Sequence, residues 1–137
     1  MGNNFTRRLR GISLYTSYFA KLRKLDTAII PVAICAKVPD WYTGLQYKKL
    51  APKYSFFSKW KIDHDNEYYI QHFYEEVLNK LDAKTVLKEL YDLAQRQNKN
   101  FKDIMLICYE KPEDFCHRHI VSEWFQKSGI VCSEYMS

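Results

Sequence analysis

Cys116, His117 and Arg118 are consecutive, and Ile120, Val121, Trp124 and Phe125 follow them at the spacing of one apolar helix face. The triplet therefore falls at a predicted helix start, where unpaired N–H groups and the positive end of the helix dipole favour an anion or a thiolate. A cysteine beside Arg118, His117 and His119 has surroundings that lower a thiol pKa, which suits nucleophilic or redox chemistry. Glu110, Glu113 and Asp114 oppose that trend. The plainer alternative is a structural Cys116 packed under the helix start, with Arg118 alone reaching a ligand.

Arg118 carries a planar fork that matches phosphate or carboxylate, and an ion pair with Glu110 or Glu113 is the rival role. His117 suits acid or base work near neutral pH, with Glu110 as a second proton-transfer candidate; a surface or capping histidine is the bland reading. Cys108, Cys116, His117 and His119 also supply four potential zinc ligands. The spacing argues against that use: Cys108 reads as mid-strand and the consecutive Cys116 and His117 are expected to diverge, so no metal is expected. There is no Gly-rich phosphate loop, and the cofactor, if any, stays open.

Elements that would position these residues alternate along the chain. Arg10–Tyr15 reads as a strand, with Thr16 and Ser17 capping a short helix through Tyr18, Phe19, Leu22 and Leu25. The apolar run Ala28–Ala36 suits a strand covered on both faces, provided Pro31 sits where no ladder donor is needed. Residues 39–60 read as a long ordered loop with room for one helical turn. Asp65 or Asn66 opens a helix carrying Tyr69, Phe73, Val77 and Leu81, and Asp82 caps a second with Val86, Leu87, Leu90, Leu93 and Ala94 inward. A strand over Ile104–Tyr109, a helix over Cys116–Lys127 stopped by Gly129, and a strand over Ile130–Ser133 complete the pattern.

Unbroken apolar strands separated by helices predict one α/β domain over residues 1–137, a Rossmann-like sandwich with a mainly parallel sheet flanked by helices. Ligands bind beyond the carboxyl ends of such strands. That rule gathers Ser17 and Tyr18, Lys37 and Trp41, and Tyr109 as ligand-binding candidates beside Arg118.

Charge and composition narrow the partners. Hydrophobic residues make up 47% of the 137, enough for a core. No apolar run is long enough to span a membrane and no signal-peptide core precedes the first strand, so the expectation is a soluble cytoplasmic protein without a membrane partner. The four cysteines are scattered, and no disulfide framework is expected. The net charge of +5 divides unevenly: residues 1–62 hold 12 Lys or Arg against 2 acids, +10, and residues 63–137 hold 9 against 14, −5. The basic half interleaves Trp41, Tyr42, Tyr47, Tyr54, Phe56, Phe57 and Trp60, which suits a nucleotide or nucleic acid, or a partner protein docking on the Trp41–Trp60 segment. Core aromatics beneath solvating lysines are the equal alternative.

The run from Cys108 to Arg118, Cys-Tyr-Glu-Lys-Pro-Glu-Asp-Phe-Cys-His-Arg, resembles the signature of the domain-of-unknown-function 488 family. Thr16–Ala20, Pro39–Tyr42 and the later Tyr47, Leu50, Ala51 and Pro52 look like its short members. The resemblance implies a Rossmann-like domain of bacteria or their phages, with Glu110, Cys116, His117 and Arg118 at a presumed site, and it implies no settled activity. The expected function is recognition of a phosphate-bearing ligand at the Cys-His-Arg helix start. The alternatives are an enzyme with Cys116 as nucleophile and an interaction module.

Overall fold

The computed structural model describes residues 13–111 and 113–136. Five strands form one all-parallel sheet: β1 (Leu14–Tyr18), β2 (Ile29–Ala33), β3 (Leu45–Gln46), β4 (Asp103–Cys108) and β5 (Cys132–Glu134), in the order β3-β2-β4-β1-β5. Among the described residues four α-helices accompany them: α1 (Tyr54–Asp63), α2 (Asn66–Glu76), α3 (Ala83–Gln97) and α4 (His117–Lys127). This is the α/β sandwich that the apolar runs predict.

The two faces of the sheet are covered differently. On one, Leu14, Ile30, Val32, Ile104 and Leu106 pack with residues from all four helices, among them Phe56, Phe73, Leu90, Val121 and Phe125. On the other, Ala33, Met105 and Ile107 meet Phe19 and Tyr42, backed by Leu22, Leu25 and Val38. The second layer is a 3-10 turn (Phe19–Lys24) and a loop, with no α-helix among the described residues. β4 is buried from Ile104 to Cys108, as its unbroken apolar run requires of a central strand.

Local signals in the sequence account for most boundaries. Asp65 accepts the Tyr68 N–H at 3.1 Å and Asp82 accepts the Thr85 N–H at 3.0 Å, so both act as N-caps. Gly129 (φ 80°) follows α4; its N–H reaches the Gln126 carbonyl and the Ile130 N–H reaches that of Phe125, each at 3.0 Å, which closes the helix. Pro31 costs nothing. Ile34 donates to Ile107 of β4 while Ala33 accepts from Tyr47 on the opposite side, so Pro31 faces the β3 side, one residue before β3 begins opposite Val32.

Four expectations are corrected. β1 runs through Thr16 and Ser17 to Tyr18, so these two are buried strand residues and not caps; Arg10 to Ile12 lie outside the described residues. The segment 39–60 is not a loop throughout: it contains β3, a 3-10 turn at Lys48–Leu50 and most of α1. Helix α2 stops at Glu76, because Val77 (φ −123°, ψ −69°) leaves helical geometry and Leu78–Lys80 tightens into a 3-10 turn. The last strand is Cys132–Glu134, shifted toward the C-terminus because Ile130 closes α4.

Candidate functional site

The carboxyl ends of β2 and β4 open into a cleft of about 340 Å³, lined by Cys35, Lys37, Phe57, Lys61, Cys108, Tyr109, Glu110 and His117, with Ala36 and Pro52. Parallel strands place their following loops here, which is why the site lies at this end of the sheet. The Tyr109 hydroxyl donates to the Lys37 carbonyl at 2.7 Å and ties the two loops together. Phe57 and Lys61 come from one face of α1, four residues apart, with the Lys61 ammonium 4.8 Å from the Phe57 ring.

At the floor of the cleft, Cys108 ends β4 and Cys116 is the N-cap of α4. Their sulfurs are bonded in the structure, and their Cα atoms stand 7.7 Å apart. This corrects one expectation, since Cys108 is at the strand end and not its middle; the single pair leaves Cys35 and Cys132 free. His117 is buried against the Phe73 ring, not on the surface. Its Nε2 lies 2.8 Å from the Ile34 carbonyl, which can only accept, so Nε2 carries the proton and Nδ1 presents a lone pair 4.0 Å from Cys116 Sγ. Burial first, with Arg118 and His119 adding to it, lowers the His117 pKa to about 4 despite the Ile34 hydrogen bond, so the ring is neutral at pH 7.

Arg118 is fully buried, and all its nitrogens point inward. Nε and Nη2 donate to the two oxygens of Glu134, each at 3.1 Å; Nη1 donates to the Glu110 carbonyl at 2.6 Å and to Cys108 Sγ at 3.3 Å. Thr16 Oγ1 donates to the same Glu134 carboxylate at 2.7 Å, and the Tyr18 ring lies 5.8 Å from the guanidinium carbon. The arginine thus joins β5, β1, β4 and the loop after β4. Its acidic partner is Glu134, not the Glu110 or Glu113 side chain.

Of the residues singled out from sequence, Lys37, Tyr109, Glu110 and His117 line the cleft, Cys116 adjoins it through Cys108, and Arg118 and Tyr18 lie in the layer beneath. Ser17 is fully buried in β1. Trp41 lies elsewhere, 62% exposed, in a shallower groove with Phe19, Leu22 and Arg23. That groove, about 540 Å³, gathers few polar groups, whereas the smaller cleft converges two lysines, a carboxylate, an imidazole and two cysteines. Sequence reading missed Cys35, Phe57 and Lys61. The available signal was that Cys35, like Cys108, closes an apolar strand run. Burial raises the Cys35 thiol pKa above its ordinary value, so it stays protonated at neutral pH.

An all-parallel α/β sheet flanked by helices defines a Rossmann-like domain, here with a polar cleft at its strand ends. A family model described as "DUF488-N3a: Active DUF488-N3 subclade" matches residues 19–129, and the chain belongs to the DUF488 family. No curated protein and no solved structure matches it.

Proposed function

We propose that the cleft between β2 and β4 binds a small phosphate-bearing ligand of the nucleotide class, held by Lys37 and Lys61 and not by Arg118. The observation that carries this reading is the convergence of the two lysines on a concave site at the sheet's carboxyl ends, opposed among the lining residues by Glu110. Phe57 and Tyr109 supply apolar surface for a base or sugar. A volume of about 340 Å³ is near the lower bound of small-molecule sites, which favours a mononucleotide or sugar phosphate over a strand of nucleic acid.

Thermal shift and calorimetric titration against mononucleotides, dinucleotides, sugar phosphates and short oligonucleotides test it. The expected result is a mononucleotide or sugar-phosphate hit lost in the Lys37→Ala/Lys61→Ala variant and kept in Lys99→Ala/Lys102→Ala, which removes the same charge at the amino end of the sheet. A hit equally strong in both variants would overturn the assignment.

A second reading, thiol chemistry in the cleft, is favoured by one observation: Cys108, not Cys116, lines the cleft and receives an N–H from Arg118, which stabilises a thiolate. After reduction, iodoacetamide should label Cys108 ahead of Cys35 at pH 7; equal or slower labelling counts against it.

A further inference from the structure

We infer that the reduced protein holds a thiophilic divalent cation, zinc by preference, through Cys108 Sγ, Cys116 Sγ and His117 Nδ1. These three atoms lie within 4.8 Å of one another at the cleft floor, buried. The spacing argument against a metal fails here for a geometric reason. Cys116 has extended backbone (φ −150°, ψ 141°) as the N-cap while His117 begins the helix, so the two neighbours converge instead of diverging. Two thiolates and an imidazole with a fourth position left open is the donor set of a catalytic zinc site, and it suits borderline-soft d10 ions over magnesium or calcium.

Three features support the site from outside the ligand set. The Ile34 carbonyl fixes His117 in the tautomer whose Nδ1 lone pair faces the sulfurs, the usual arrangement behind a metal-bound histidine. Arg118 Nη1–H donates to Cys108 Sγ, as an outer partner of a bound thiolate does. The Cα atoms of Cys108 and Cys116 stand 7.7 Å apart, wider than the roughly 4.4–6.8 Å usual for a disulfide, leaving room for the sulfurs to separate to the roughly 3.8 Å set by two zinc–sulfur bonds in tetrahedral geometry. Because Cys108 and His117 line the cleft, the open position faces it, within reach of a water or an anionic ligand.

The chemistry balances with an external thiol as reductant. Two equivalents of that thiol convert the Cys108–Cys116 bond to two thiols and leave as their own disulfide. The cation then displaces two thiol protons. Oxidation and metal binding are therefore mutually exclusive states of one pair.

Cobalt titration of the full chain, reduced and kept anaerobic, tests the inference. The expected outcome is a one-to-one thiolate-to-cobalt charge-transfer band with the visible bands of a tetrahedral site, displaced by zinc. Cys108→Ser and Cys116→Ser should abolish the band, and His117→Gln should weaken binding by more than the roughly 10–100-fold lost with an outer-shell partner. Cys35→Ser should retain it. The inference is overturned if the folded, reduced wild type gives no band, if the band survives in Cys116→Ser, or if the thiol reductant leaves the bond intact by mass. Failure of the nucleotide reading is separate, because Lys37→Ala/Lys61→Ala leaves all three ligands in place: a cobalt band without any nucleotide shift removes that reading alone, and the reverse removes only the metal.

Discussion

Replacing Glu134 by glutamine keeps the shape of the side chain but takes away the counter-charge of a guanidinium that has no access to water. In the wild type the Glu134 carboxylate accepts three donors, two from Arg118 and one from Thr16 Oγ1. Glutamine preserves one acceptor oxygen and turns an NH2 toward Nη2–H, donor against donor. Breaking a buried pair by removing one partner costs about 3–5 kcal/mol. The Arg118 side chain is 0% exposed but that of Glu134 is 17% exposed, so the pair is not wholly desolvated and the lower end, about 3 kcal/mol, applies. With an unfolding entropy of about 2.1 cal/mol/K per residue over 137 residues, that is a fall in Tm of about 10 °C. Urea denaturation should show a lower midpoint at unchanged m. Arg118→Met/Glu134→Leu should recover part of the loss, since an apolar replacement leaves no charge stranded. A Glu134→Gln protein within about 1 kcal/mol of wild type would refute the claim that this pair joins β5 to the strands beside it.

Two further outcomes follow from local geometry. Gly129→Ala places a Cβ at φ 80° with nothing within 4 Å to clash, so the cost is conformational alone, about 1 kcal/mol, read as a fall of a few degrees in Tm; no change would remove the left-handed stop from the account of α4. His117 binds its proton near pH 4 when folded and near 6.5 when unfolded, so between those values only the unfolded chain gains it. Stability of the metal-free protein should therefore fall by about 3 kcal/mol as pH drops through that window, and a His117→Gln protein with an equally steep pH dependence would contradict the assignment.

Local chemistry explains which elements were readable in the sequence. The caps Asp65 and Asp82, the stop at Gly129 and the apolar runs of β2 and β4 each rest on contacts within a few residues. Helix α1 was hidden because of its inward residues only Phe56 is fully buried, and its other aromatics and lysines read equally well as a basic loop. The cleft was legible as a place, through the rule for parallel strands, and Lys37, Tyr109, Glu110 and His117 all line it. What escaped depends on distant pairing. Arg118 meets Glu134 across 16 residues and His117 meets Ile34 across 83, and no spacing rule announces such partners. For the same reason Arg118 read as an anion ligand or as an ion-pair partner of Glu110 or Glu113, and Glu134, which occupies its fork, could not be named.

The strand order carries a consequence for how the chain folds. β1, the first strand among the described residues, is hydrogen-bonded on one side to β4 and on the other to β5, with Leu14 opposite both Ile104 and Cys132. Both edges of β1 therefore stay open until β4 and β5 have been made. Closing separations of about 90 and 118 residues is slow, because the loop entropy is lost before any contact compensates it. Until then Leu14 lacks its strand neighbours on the face that the helices cover, and the Phe19–Lys24 turn, on the other face, does not shelter it, so β1 should be late to gain protection from amide exchange.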